Sequence, residues 1–485
     1  MITFLVCLAL LVTAYFTYGR YLERQAGADA SAEMPCRRLY DGVDYVPLPR
    51  WRAFLIQLLN IAGTGPIFGA VLGACFGPVA FLWITFGGIF MGAMHDYLSG
   101  MMLVRNDGLS IPEVVGRYLG EGMRHFMRIF SVLLLVLVGA VFLLSPAQLL
   151  ANMVPAISCP VWVWLILAYY FVATLLPIDK IIGRIYPLFG VALVAMALGL
   201  LGAVIVGDYR IPELTTLHNF QLDPARVPIV PTLFITIACG AISGFHATQS
   251  PLMARCVGNE RPCRSVFYGA MISESIIALI WAAVAMAFFG GAGELSAALG
   301  EHGGSAAWAV DTISNGMLGV VGGVLALLGV VGGVLALLGV VAAPITSGDT
   351  AFRSARLIIA DMLHLEQRSK LKRFYICIPL FAVGYWITQV DFDVVWRYFA
   401  WTNQTLATIV LWAIVVFLQR RRSNRWVGLL PALFMTFVCS SFLFVSDQFL
   451  GMENRTAAYA CGVAVTVAVT AGMLLKLKHD AKSNS

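Results

Sequence analysis

Glu274 is the residue hardest to explain as packing. It stands in Met271-Ile272-Ser273-Glu274-Ser275, about ten residues into an otherwise apolar stretch. A carboxyl group at that depth, cut off from water, suits proton carriage; its plainer role is a neutral acid bonded to a neighbouring helix. His246 follows a run of small residues, Cys239-Gly240-Ala241-Ile242-Ser243-Gly244-Phe245. Imidazole titrates near neutrality, so His246 suits a substrate carboxylate, a proton relay, or merely a helix end. His95-Asp96 lies in a third apolar stretch. The pair would make an acid/base couple, but successive helical residues point about 100° apart, so it is expected to gate or pack, its members not facing each other. Asp349, Arg353, Arg356 and Asp361 follow one another at helical spacing, as a salt-bridged gate or an ordinary solvated face. Trp401-Thr402-Asn403-Gln404-Thr405 is a polar run expected to face a helix bundle.

Two weak points in the helices must position these groups. One stretch contains Asn60-Ile61-Ala62-Gly63-Thr64-Gly65-Pro66, where proline removes a backbone donor and the glycines relax the chain. The other is the small-residue run before His246. A helix interrupted at membrane depth is tolerated only where protein or a watery cavity satisfies its backbone. One such glycine pair reads as close helix packing. Matching breaks in corresponding segments of two halves point instead to the binding site of a secondary transporter, where half-helix ends meet ionic groups. The candidate substrate contacts are Gly63, Thr64, Gly65, Gly240, Ser243, Gly244, His246, Asn403 and Gln404. The candidates for proton coupling or gating are Glu274, His95, Asp96, Asp349 and Arg353.

Composition sets the frame. The 485 residues are 60% hydrophobic and only 12% charged, about half the charge of a soluble chain. That excludes a soluble globular protein, and the high hydrophobicity excludes disorder. Apolar stretches near 20 residues without strict alternation argue against a barrel. The fold class is therefore an all-α polytopic membrane protein. The net charge of +6 is what cytoplasmic loops collect, so nucleic acid is not an expected partner; a small-molecule substrate and the lipid bilayer are. The ten cysteines read as reduced packing residues, since Cys256 and Cys263 lack metal-site spacing and a nearby histidine. Without an H-E-x-x-H or G-x-S-x-G motif, an intramembrane enzyme using His95, Asp96 or His246 is the runner-up, with an uncoupled channel or sensor third.

Thirteen apolar stretches are candidate spans: 2–19, 53–74, 77–103, 128–150, 161–177, 185–207, 230–249, 265–290, 314–347, 373–390, 394–418, 426–446 and 456–475. With the N-terminus outside, all 32 Lys and Arg except Arg210, Arg226, Arg397 and Arg455 fall on the cytoplasmic side, and the C-terminus is cytoplasmic. Arg20 and Arg24 follow the first apolar run and no basic residue precedes it, so it reads as an anchor rather than a cleaved signal. The expected division is an anchor and loop (1–52), a first five-helix repeat (53–207), a second (208–418), and two further helices with a tail (419–485). Spans two and seven then run in opposite directions, as an inverted repeat requires.

Asp41-Gly42-Val43-Asp44-Tyr45-Val46-Pro47, Ile61 through Pro66, His95-Asp96, Gly240 through His246 and Thr346-Ser347-Gly348-Asp349-Thr350-Ala351 resemble the carbon starvation protein A (CstA) family over nearly the whole chain. The resemblance implies a transporter of the amino acid–polyamine–organocation type with a LeuT-like five-plus-five core in the bacterial inner membrane. It also implies import of peptides or pyruvate during carbon starvation. By analogy with sodium symporters of this fold, span nine would offer Ala343, Thr346 and Ser347, and span two the Ala62 carbonyl, to a cation. The alternative is a Ser/Thr helix end satisfying its own backbone. No cofactor is implied beyond a bound Na+ or H+.

Residues 318–327 read LGVVGGVLAL, and 328–337 repeat the string letter for letter. Architectural repeats diverge and are longer, so this is a recent duplication or a sequence error. Met317 to Ile345 is 29 residues, about 43 Å as helix, against about 28 Å with one copy removed. The second copy is expected to keep register with Thr346 and Ser347, and the first to project or buckle.

Overall fold

The computed structural model describes residues 1–42, 44–175, 186–324, 326–363, 365, 370–390 and 392–483, with side chains except at 153, 174–175, 318–340, 370, 393 and 481–483. The regular elements among these residues are helices, and the one β pairing among them is an isolated parallel bridge between Leu48 and Val257. Among the described residues, eight helices are long and apolar enough to cross a membrane: Ile2–Ala26, Val79–Val104, Glu121–Asn152, Tyr186–Val206, Arg264–Phe289, Val394–Arg420, Trp426–Val445 and Arg455–Asp480. A ninth span is bent by 57° between Arg50–Ile61 and Gly65–Ala74, and Cys159–Ala173 is a shorter apolar helix. Leu188, Val191, Leu198 and Ile205 on one long helix, and Leu10, Val12 and Phe16 on another, stand exposed. Apolar rows of this kind fit lipid, not water.

Both expected interruptions are present. Helix Arg50–Ile61 ends at Ala62, and the chain resumes with a π-helical turn at Gly65–Gly69 running into Ala70–Ala74. Helix Ile229–Thr236 stops, and Gly244–Ala254 begins after an extended Ser243. Gly240, at φ +91°, turns the chain between them in a region open mainly to glycine. The half before the first break packs against the half after the second, and the half after the first packs against the half before the second. The two broken segments therefore lie antiparallel. Further π-helical turns occupy Trp83–Gly92, just ahead of His95, and Arg264–Tyr268, just ahead of Glu274. Such turns recur at functional sites because they rotate the side chains that follow.

The region read as one span at 314–347 is helical over Ala306–Val324 and Ala326–Met362. The register of the duplicated decapeptide rests on side chains 318–340, which lie outside the described residues. Deleting residues 318–327 is expected to preserve or raise uptake in cells. Loss of uptake by a deletion variant that still inserts normally would mean both copies are required.

Candidate functional site

The two breaks touch. A Cβ built on Gly65 would come within 2.3 Å of Cys239 Sγ, and Gln57 Nε2 of the first broken segment donates to Ser250 Oγ of the second at 3.2 Å. Interrupting a helix strands carbonyls on one side and N–H groups on the other. Here neighbouring helices supply the missing partners. Gln404 Nε2 donates to the Phe234 carbonyl at 2.8 Å, and Trp83 Nε1 to that of Ile237 at 3.0 Å. Asn403 Oδ1 accepts the Phe245 N–H at 2.7 Å, while its Nδ2 donates to Ser243 Oγ at 3.0 Å. The polar run of span eleven thus faces the bundle, and Asn403 and Gln404 hold the two frayed ends of the second break. At the first break, Ser347 Oγ donates to the Leu59 carbonyl at 2.9 Å, and Thr346 Oγ1 bonds back to Ala343 at 2.8 Å. A hydroxyl of span nine and a carbonyl of span two therefore meet. The carbonyl is Leu59's, one turn before the buried Ala62.

The glycines differ in what they touch. A Cβ on Gly63 would lie 2.5 Å from the Phe142 ring, one on Gly240 2.5 Å from Ala278 Cβ, and one on Gly244 2.4 Å from the Asn403 carbonyl oxygen. These three serve close approach between elements. Thr64 is buried, and its hydroxyl finds no partner among the described residues; the same holds for both amide atoms of Asn60. Polar atoms left bare at a helix break are the mark of a binding surface, because burying them without a ligand costs about 1–3 kcal/mol each. The sequence reading quoted Asn60 in its motif without assigning it a role. Its place one turn before Thr64 was the available signal.

Four ionisable groups from three segments form one buried chain. His95 Nδ1 lies 2.8 Å from Asp96 Oδ1, and His246 Nδ1 lies 2.8 Å from Asp96 Oδ2. With Asp96 ionised it only accepts, so each ring carries its proton on Nδ1 and turns Nε2 away. His246 Nε2 is 3.2 Å from Glu274 Oε2, an ion-pair distance at an angle too poor for a hydrogen bond. The Gly240 amide also faces Glu274 without forming a bond of good geometry. His95, Asp96, His246 and Glu274 are each 0% exposed. This corrects the expectation that His95 and Asp96 do not face each other. Their Cβ atoms diverge, but imidazole and carboxylate are long enough to fold back and meet, and His246 holds the carboxylate from the other side.

A second correction concerns span nine. Asp349, Arg353 and Arg356 are buried, so they are not a solvated face; Asp361 alone of the four is exposed. Nor do Asp349 and Arg353 pair with each other. Tyr186 Oη donates to Asp349 Oδ2 at 2.8 Å, and Arg353 donates to the Ala173 carbonyl at 2.8 Å.

A different ion pair lies at the Arg255–Glu260 end. Arg105 reaches Glu260 through two bonds of 2.9 and 2.8 Å and also donates to the carbonyls of Ala26 and Gly27. Burial works against the Arg105 charge, but Glu260 more than offsets it and holds the guanidinium above its usual range. At the opposite end, a cavity of about 670 Å³ lies between the outlying halves of both broken segments, lined by Leu72, Thr236, Trp396, Arg226 and Arg397 among others. His95, Asp96, His246 and Glu274 are not among the residues that line it.

A family model described as carbon starvation protein CstA matches residues 1–159 and 146–326. The chain is 42% identical over 340 residues to an uncharacterized membrane protein of Haemophilus influenzae, covering 60% of this chain and 91% of that one. It is 25% identical over 548 residues to the peptide transporter CstA of Escherichia coli K12, covering 88% of this chain and 78% of that one. It is 26% identical over 332 residues to the pyruvate/proton symporter BtsT of the same organism, covering 56% of this chain and 46% of that one. Among solved structures, the Eremococcus coleocola manganese transporter aligns with a TM-score of 0.54 at 14% identity, covering 92% of this chain and 99% of that one. MhsT in complex with L-phenylalanine aligns with a TM-score of 0.54 at 14% identity, covering 86% and 97%. At such identity the likeness is one of fold.

Proposed function

The chain belongs to the carbon starvation protein CstA family, and from that premise we propose that it is a cation-coupled importer of small organic nutrients, pyruvate or peptides, used when carbon is scarce. Its thirteen spans sit in the bacterial inner membrane, N-terminus outside and C-terminus in the cytoplasm. Spans two to six and seven to eleven form a five-plus-five inverted repeat. The observation that carries the reading is the contact between the two broken segments, with bare polar groups at Asn60 and Thr64 and the His95–Asp96–His246–Glu274 chain beside it.

Substrate enters from the cavity that holds Arg397, a cation suited to drawing in a carboxylate, beside Arg226, which is paired with Asp447. It binds where the breaks meet, against Asn60, Thr64 and the half-helix ends. The coupling ion is a proton, passed along Asp96, His246 and Glu274. Support for a proton over sodium comes from a relative named a pyruvate/proton symporter. Access alternates as one bundle rocks against the other, with Arg105–Glu260 shutting the cytoplasmic end.

The test is uptake of labelled pyruvate and of a dipeptide into vesicles, with pH and sodium gradients imposed separately. A pH gradient is expected to drive accumulation and a sodium gradient to leave it unchanged. Glu274→Gln is expected to abolish the proton-driven component. Thr346→Ala is expected to spare that component, and loss of uptake confined to a sodium gradient would reinstate the hydroxyl site. Uptake indifferent to both gradients removes coupling, and equilibration without accumulation makes the protein a channel.

A further inference from the structure

We propose that Cys239, His246 and Glu274 form a binding site for a divalent transition-metal ion of the zinc class. Three observations converge on it. First, the Cys239 thiol, a His246 ring nitrogen and a Glu274 carboxylate oxygen lie within 4.8 Å of one another, and all three residues are buried. The 3.2 Å between His246 Nε2 and Glu274 Oε2 is close to the roughly 3.3 Å that two zinc bonds of about 2.0–2.1 Å subtend at the tetrahedral angle. Cys239 has to close by only about 1 Å, and as a residue of an irregular segment it is not held by a helix. Second, the nitrogen and oxygen donors are bare. His246 Nε2 and both Glu274 oxygens lack a hydrogen-bond partner among the described residues. Third, the supporting shell is already that of a metal centre. His246 Nδ1 is tied to Asp96 at 2.8 Å, which turns Nε2 toward the site, and Asp96 is itself anchored by His95. Asn403 Nδ2 and Ser243 Oγ face the sulfur at 3.9 and 3.6 Å.

The donor set chooses the ion. Thiolate with imidazole and one carboxylate is the mixed soft and borderline set that zinc and its neighbours prefer, whereas magnesium and calcium demand oxygen throughout. On binding, the Cys239 S–H bond breaks, its proton leaves to solvent and sulfur bonds to the metal; His246 Nε2 and Glu274 bind unprotonated. The fourth position remains for water or a substrate carboxylate. The groups facing the ion are Cys239, His246, Glu274, Asp96 and His95, so metal and protons compete for one cluster. The site itself stands on geometry. Its effect on uptake, inhibition by zinc, rests on the transport reading above.

Two measurements separate them. Purified protein loaded with Co2+ is expected to show a thiolate-to-cobalt charge-transfer band and the intense visible bands of a four-coordinate ion, with the charge-transfer band absent in Cys239→Ser. X-ray absorption of the zinc-loaded wild-type protein, which needs no variant, is expected to show one sulfur and two or three nitrogen or oxygen neighbours. A shell without sulfur, a shell with several sulfurs, or a charge-transfer band that survives in Cys239→Ser would overturn the site. In vesicles, zinc is expected to inhibit proton-driven uptake, less so as pH falls. Cys239→Ser is expected to raise the half-inhibitory zinc concentration by about 10–100-fold, each protein referred to its own zinc-free rate. Intact spectra with no zinc effect on uptake would leave the metal site standing and count against the relay.

Discussion

Replacing Asp96 by asparagine is expected to cut proton-driven uptake by about 10²-fold or more, with the protein still folded and inserted. Asp96 accepts from two rings at once, His95 through Oδ1 and His246 through Oδ2. Asparagine keeps the shape but turns one acceptor into a donor, so one Nδ1–H meets an N–H and is left bare. That costs about 1–3 kcal/mol, too little to unfold a protein of this size but enough to release one imidazole. A freed His246 swaps tautomer or swings off Glu274, and the proton path is broken at its middle. The measurement is initial uptake under an imposed pH gradient, alongside the thermal midpoint in detergent. Uptake within twofold of wild type would show that Asp96 only packs.

The second large effect is expected at Gly244. Alanine there places a methyl group 2.4 Å from the Asn403 carbonyl oxygen and 2.5 Å from the Ala407 nitrogen. Both are backbone atoms of helix Phe392–Arg420, so no side-chain rotation relieves the clash. The helix must move as a body, at a cost of about 1–3 kcal/mol for ordinary overpacking and more where backbone is involved. That shift also pulls Asn403 off the Phe245 N–H. The thermal midpoint is expected to fall by several degrees, with uptake lost in parallel. An unchanged midpoint would mean that the two helices separate more readily than their contact implies.

The breaks were readable from sequence because glycine and proline carry their backbone consequences with them. Pro66 and Gly240 announce an interruption because further glycines cluster beside them, whereas Pro146 and Pro431 stand inside continuous helices. Glu274 was readable for a similar reason, since a carboxyl group in an apolar run has few uses. Partnership was not readable. His95 and Asp96 were judged by the angle between neighbours on a helix, and that rule ignores both side-chain reach and what approaches from outside. The run Asn403-Gln404 pointed into the bundle as expected, yet nothing in its letters says that it binds the loose ends of another segment. The same blindness hid the pairing of Tyr186 with Asp349. Cys239 was invisible for a different reason. One cysteine among small apolar residues reads as filler until the fold sets a histidine and a glutamate next to it.

Asn403 and Gln404 are consecutive, and they grip opposite sides of a single gap, the N–H of Phe245 and the carbonyl of Phe234. Their helix therefore acts as a splint across a fracture. The elbow between Ile229–Thr236 and Gly244–Ala254 cannot flex without tearing both sutures, so those two pieces and the splint travel as one bracket. The first gap has a lighter fastening, one hydroxyl on one carbonyl, Ser347 on Leu59. The hinge of this machine is thus expected at Ala62–Thr64, and the second corner, for all its glycine, is a fixed angle that the motion swings around.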